Sequence, residues 1–168
     1  MSLSLDLAAI LQPLIGQSFV PPQAVSVQDG AGTTITLRVV AVERMGVSCE
    51  ELQLIVPHLR QTSLDLLKTW AEALCRRVTY LLENLGPLEY DATAQEVLIR
   101  STTPDSTQPQ SPKYYEVILS AQGQGQFTLR RYEADRVQGG RVPVPLHLTH
   151  EQLAKLVNDL VGTIPTAP

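Results

Sequence analysis

Two stretches of alternation, separated by a four-residue turn, set the terms on which this chain can fold. Over residues 33–42, Ile35, Leu37, Val39 and Ala41 fall on one side of an extended backbone, and Thr34, Thr36 and Arg38 on the other. Over 47–56, Leu52, Leu54 and Val56 alternate with Glu51 and Gln53. Such patterning commits one face to a core and leaves the other to water, as antiparallel sheets allow. Glu43-Arg44-Met45-Gly46 joins the two strands, and Pro57 ends the second of them. A short strand over 24–28 leads into them through Asp29-Gly30-Ala31-Gly32. The three strands read as a meander.

The second half repeats the theme. Residues 88–91 form a short strand, and 96–101, with Val97-Leu98-Ile99, a core strand. Residues 113–121 and 126–134 pair as a hairpin across Gln122-Gly123-Gln124-Gly125, with Tyr115, Val117, Leu119, Phe127 and Leu129 as its apolar positions. Residues 102–112 hold three prolines and no apolar residue, the composition of a flexible polar loop. All ten glycines fall where the hydrophobic pattern breaks, as turns with positive φ would select.

Three segments carry the helical period. The first starts from Ser4 as N-cap and places Leu7, Ile10, Leu11, Leu14 and Ile15 on one face, with Pro13 expected to kink or end it. The longest, over 63–85, has a seam of Leu64, Leu67, Ala71, Leu74, Val78, Leu81 and Leu85. Asp65, Lys68, Glu72, Arg76 and Glu83 lie opposite, and Gly86-Pro87 provides a stop. Leu66, Trp70, Ala73 and Tyr80 widen its apolar arc past half the circumference. The last helix has a capping box of Thr149 and Gln152 and a staple of Leu148 and Leu153. Leu153, Leu156, Val157, Leu160 and Val161 share its apolar face. The resulting order, α-βββ-α-ββββ-α, predicts an α+β fold of antiparallel meanders with three helices, formed as one domain over 1–168.

Composition narrows the function. At 43% hydrophobic the chain can bury a core, and no apolar run reaches the length of a membrane span. The net charge of −4 opposes a dedicated nucleic-acid binder. The first residues lack the basic and apolar regions of a secretion signal, so the expected compartment is the cytoplasm, with Cys49 and Cys75 reduced.

No catalytic or metal spacing emerges. Gly30/Gly32 and Gly123/Gly125 lie between strands, where no helix N-terminus follows to receive a phosphate. Glu50 replaces the second glycine of a nucleophile elbow around Ser48, and no orienting group accompanies Cys49 and His58. His147 precedes the last helix while His150 opens it, so the pair does not share a helix face. Alternation sends Glu50 and Glu51 to opposite faces. Arg130, Arg131, Arg136 and Arg141 flank Tyr132, but Glu133 and Asp135 offset half of that charge, as on a solvated edge strand.

The segments 4–16, 24–56, 63–85 and 149–161, in that order, make the chain resemble the type III secretion chaperone-like fold. Leu88-Glu89-Tyr90-Asp91, Val97-Leu98-Ile99-Arg100-Ser101 and residues 143–153 are similar to small uncharacterised cyanobacterial proteins of that fold group. The resemblance implies a dimer that holds an extended client segment on apolar patches. The extra strand material and the polar loop of the second half depart from that pattern.

The expected function is therefore a non-enzymatic protein-interaction module, chaperone-like or adaptor-like. It would bind a protein, a peptide or a second copy of itself, with no cofactor or metal. Its candidate surface comprises Leu66, Trp70, Ala73 and Tyr80 on the long helix, with Arg130 and Arg131. One alternative is a small-ligand or weakly catalytic pocket between sheet and long helix, lined by Trp70, Cys75, Tyr80 or the His147/His150 region. Another is weak single-stranded nucleic-acid binding through 130–141.

Overall fold

The alternating segments close into one antiparallel sheet of nine strands carrying three helices, in a computed structural model that describes residues 2–166 apart from the Leu88 side chain. The elements are α1 (Leu3–Leu11), β1 (Gln17–Gln28), β2 (Thr34–Val42), β3 (Gly46–Val56), α2 (Leu64–Arg77), β4 (Leu85–Asp91), β5 (Glu96–Ser101), β6 (Lys113–Ser120), β7 (Gly125–Ala134), β8 (Arg141–Val144), β9 (Leu146–Thr149) and α3 (His150–Thr163). The fold is α+β, as the patterning predicts. Among the described residues no helix is long and apolar enough to cross a membrane.

The strands run β1-β2-β3-β7-β6-β5-β4 across the sheet. β3 and β7 pair along Leu52–Val56 and then part. β9 takes over beside Gly46 to Cys49 of β3, and β8 beside Arg131 to Ala134 of β7. These two strands, from residues 141–149, are absent from the predicted order. Pro143 and Pro145 argue against a ladder locally, yet each strand needs only one neighbour here.

Register turns the alternation into rows. Val25, Leu37, Leu52, Leu129, Val117 and Ile99 stand side by side across six strands, followed by Val27, Ile35, Leu54, Phe127, Leu119 and Val97. All twelve are buried. α2 lies against β4, β5 and β6, while α3 lies against β3 and β9 and meets both other helices.

Several boundaries move. α1 is capped by Ser2 rather than Ser4, and its buried face is Leu3, Leu7 and Leu11, which leaves Ile10 exposed. Phe19 to Pro22, expected as a connection, bulge out of β1 where the register steps from Ser18 to Gln23. Gly46, Gly86 and Gly125 sit inside strands and Gly162 inside α3. Gly46 is required by space, since a Cβ there would collide with the Leu148 backbone of β9. α3 keeps its predicted capping box and continues through Gly162 to Thr163.

The largest correction concerns α2, which ends at Arg77 instead of continuing to residue 85. Val78, Leu81 and Leu85 remain buried but are delivered by irregular backbone and by β4. A continued helix would hold Glu83 in solvent. Instead Glu83 turns inward and receives both terminal nitrogens of Arg131, at 2.9 and 3.3 Å. A charge pair this buried persists only because each group is hydrogen-bonded by the other, with Ser101 Oγ also donating to Glu83.

Candidate interaction surface

The structure divides the predicted surface on the long helix: Trp70 is buried, whereas Leu66, Ala73 and Tyr80 stay half-buried. Trp70 is fully buried, 6.4 Å from the Phe127 ring centre, and its Nε1 donates to Thr163 Oγ1 of α3. Tyr80 donates its hydroxyl to Asp159 of α3 at 2.8 Å, beside the ion pair of Asp159 with Arg77. Burial first, and then the adjacent Asp159 carboxylate, push the Tyr80 hydroxyl above its usual pKa. Leu66 is half-buried and packed on the core, and Ala73 is half-buried. α3 thus covers Trp70 and Tyr80 of the wide arc. Arg131 faces the core at 5% exposure, whereas Arg130 lies on the opposite side of the sheet, exposed. These six residues do not make one surface.

Space is also lacking between α2 and the sheet. The void bounded by Leu74, Leu81, Ile99, Phe127 and Leu156 measures about 10 Å³ and is wholly apolar, smaller than most ligands by an order of magnitude. Cys49 is buried and burial raises its thiol to about 12; Cys75 is raised to about 11 by the same cause. Both are free and poorly ionised near neutrality.

Ser48 and His147 stand opposite each other on β3 and β9, with Ser48 Oγ 2.7 Å from His147 Nδ1. Among the described residues no carboxylate hydrogen-bonds to that imidazole. β2 and β9 flank Ser48 on both sides and engage the strand backbone, so no free amides converge on its oxygen. The pair is a cross-strand hydrogen bond. His150 instead approaches the Glu43 carbonyl at 2.7 Å, and His58 that of Pro165 at 3.3 Å. No group of three metal-binding side chains occurs among the described residues.

What the fold leaves uncovered is the other face of the sheet. Between the buried rows runs Ser26, Thr36, Gln53, Thr128, Ile118, Leu98 and Glu89. The next row is Gln28, Thr34, Ile55, Gln126, Ser120, Glu96 and Asp91. A third row is charged and alternates in sign: Arg38, Glu51, Arg130, Glu116 and Arg100. Arg130 Nε donates to Glu51 at 2.7 Å, and the buried Glu116 accepts from Arg141 with Arg100 at 3.6 Å. Arg38 reaches Glu50 at 3.6 Å. A register shift beside Arg38 lets both Glu50 and Glu51 meet arginines of this face, correcting the expectation from simple alternation. Arg141 also covers the Tyr132 ring at 3.8 Å, and Tyr132 leans on Tyr114 at 5.9 Å.

A depression of about 260 Å³ over β6 and β7 is bounded by Glu116, Ile118, Gln126, Thr128, Arg130 and Tyr132. These residues occupy the polar positions of a hairpin whose apolar positions are evident in the sequence. Alternation alone would have found them, had the solvent face been read as a possible surface. No family model matches the chain, and neither does any curated protein or solved structure.

Proposed function

We propose that the chain is a non-enzymatic protein-interaction module, chaperone-like or adaptor-like, whose contact surface is the uncovered face of the sheet. One observation carries this reading: all three helices serve the core, and among the described residues the broad face opposite them has none. An antiparallel sheet tolerates water on one side, so exposure by itself is ordinary. This face also carries half-exposed apolar and aromatic groups, namely Leu98, Ile118, Tyr114 and Tyr132, between charges that compensate one another. A polar surface with an aromatic and aliphatic centre suits a protein partner. The engagement of Arg38, Arg100, Arg130 and Arg141 by carboxylates weighs against a phosphate backbone as ligand.

The test is selection of binders from a random displayed-peptide library, followed by mapping on variants of the chain. Binders are expected to lose affinity on Ile118→Asp and Thr128→Asp and to keep it on Glu72→Ala, which alters the exposed side of α2. Selected peptides that map to the helical layer, or a library that yields none, would overturn the reading.

A further inference from the structure

The two outer strands of the sheet present different edges. β1 interrupts its ladder at Phe19-Val20-Pro21-Pro22, where two prolines offer no donors and Val20 is 98% exposed. Among the described residues β4 pairs only with β5; Pro87 and a register step before Glu89 interrupt its first half, and Glu89, Tyr90 and Asp91 are exposed beyond them. Register sets Glu89 beside Leu98 and Asp91 beside Glu96, which puts all three carboxylates on the uncovered face. They border a depression of about 220 Å³ that includes Leu98 and Ile118. Tyr90, opposite the buried Val97, projects the other way and is 41% exposed, with the Lys68 ammonium 4.8 Å from its ring centre.

The carboxylates of this corner differ from those of the charged row. Glu51 and Glu116 are matched by arginines, whereas among the described residues no ion pair engages Glu89, Asp91 or Glu96. Asp91 accepts only the amides of Thr93 and Ala94, which shape the following turn. The unpaired edge can therefore offer its backbone to another strand, while its charge selects what that strand carries.

Building on the reading that the chain binds a protein partner, we propose that β4 receives an extended peptide as an added strand. Lysine or arginine at alternate positions of that peptide faces Glu89, Asp91 and Glu96, and apolar residues between them face Tyr90. Main-chain pairing supplies affinity, and the alternating side chains supply selection. A second copy of this chain fits poorly: antiparallel pairing of β4 with itself about Tyr90 would set Glu89 against Asp91 twice, and like charges directly opposite are destabilising.

Fluorescence anisotropy with a short labelled peptide alternating lysine and valine tests this on the full chain. It is expected to bind roughly tenfold more tightly than a peptide of the same composition with its lysines in one block. The Glu89→Gln/Asp91→Asn double variant, altered only at exposed positions, should weaken binding by a similar factor. Glu96→Gln should weaken it less. Affinity should fall as salt rises to physiological strength. N-methylation of the peptide amides that face β4 should abolish binding. Equal binding by the block peptide, or indifference to the double variant, would overturn the proposal in favour of generic charge attraction. No binding, together with library peptides that map to Ile118 and Thr128, would sink this inference and leave the broader reading standing. No binding by either kind of peptide would sink both.

Discussion

The two faces of the sheet are made by the same strands and differ in how far each side chain depends on distant partners. On the helical face, neighbouring rows are apolar throughout, and their stability comes from excluded water and close packing. On the uncovered face, the charged row of Arg38, Glu51, Arg130, Glu116 and Arg100 depends on specific oppositely charged neighbours. Adjacent residues can fall under opposite rules. Arg131 is buried on Glu83 and Arg130 is solvated on Glu51, although the sequence places them side by side.

The contrast is broken or sharpened most by core truncation. Trp70→Ala should cost about 3–5 kcal/mol, because it removes a fully buried indole and leaves Thr163 without its donor. Ile118→Ala on the other face should cost less than about 1 kcal/mol. Urea melts of the two variants check this, and comparable losses would mean that the uncovered face is as tightly packed as the core. Next comes the arginine pair. Arg131→Met strands a buried carboxylate and should cost about 3–5 kcal/mol, while Arg130→Met should cost under about 1 kcal/mol. Adding Glu83→Leu to Arg131→Met should restore much of the loss, a non-additivity measurable in a double-mutant cycle.

Tyr80→Phe should cost about 1–2 kcal/mol by removing the hydrogen bond to Asp159. The folded hydroxyl has a pKa above the unfolded value of about 10, so its stabilisation is complete below that pH and declines as pH rises past it. The unfolding free energy of the wild type should therefore fall more steeply above that point than that of Tyr80→Phe, as measured by urea melts at alkaline pH. The smallest effect separates the two thiols. Half-buried Cys75 should react slowly with a disulfide reagent at mildly alkaline pH, and Cys49 only on unfolding, as followed by absorbance of the released thiol.

Local chemistry was enough to read some elements. The capping box at Thr149 and Gln152 joins groups three residues apart, and the central meander repeats with period two, so both are legible in a short window. The end of α2 is not, because the residue that draws Glu83 inward lies 48 positions away. Residues 141–149 were missed for a related reason. Prolines forbid two-sided pairing, but the divergence of β3 from β7 opened a place where one-sided pairing suffices. Of the candidate surface, Arg130 kept its exposure, while Trp70 and Arg131 were claimed by α3 and by Glu83.

By itself the sequence determined that this chain alternates, that it folds as α+β, and that its last helix is capped by Thr149, because each depends on neighbours along the backbone. Only the tertiary structure decided which apolar arc would be filled, which arginine would be buried, and that β4 would end the sheet with its carboxylates unmatched. Those outcomes depend on register and on partners remote in sequence, and no periodicity within one segment encodes them.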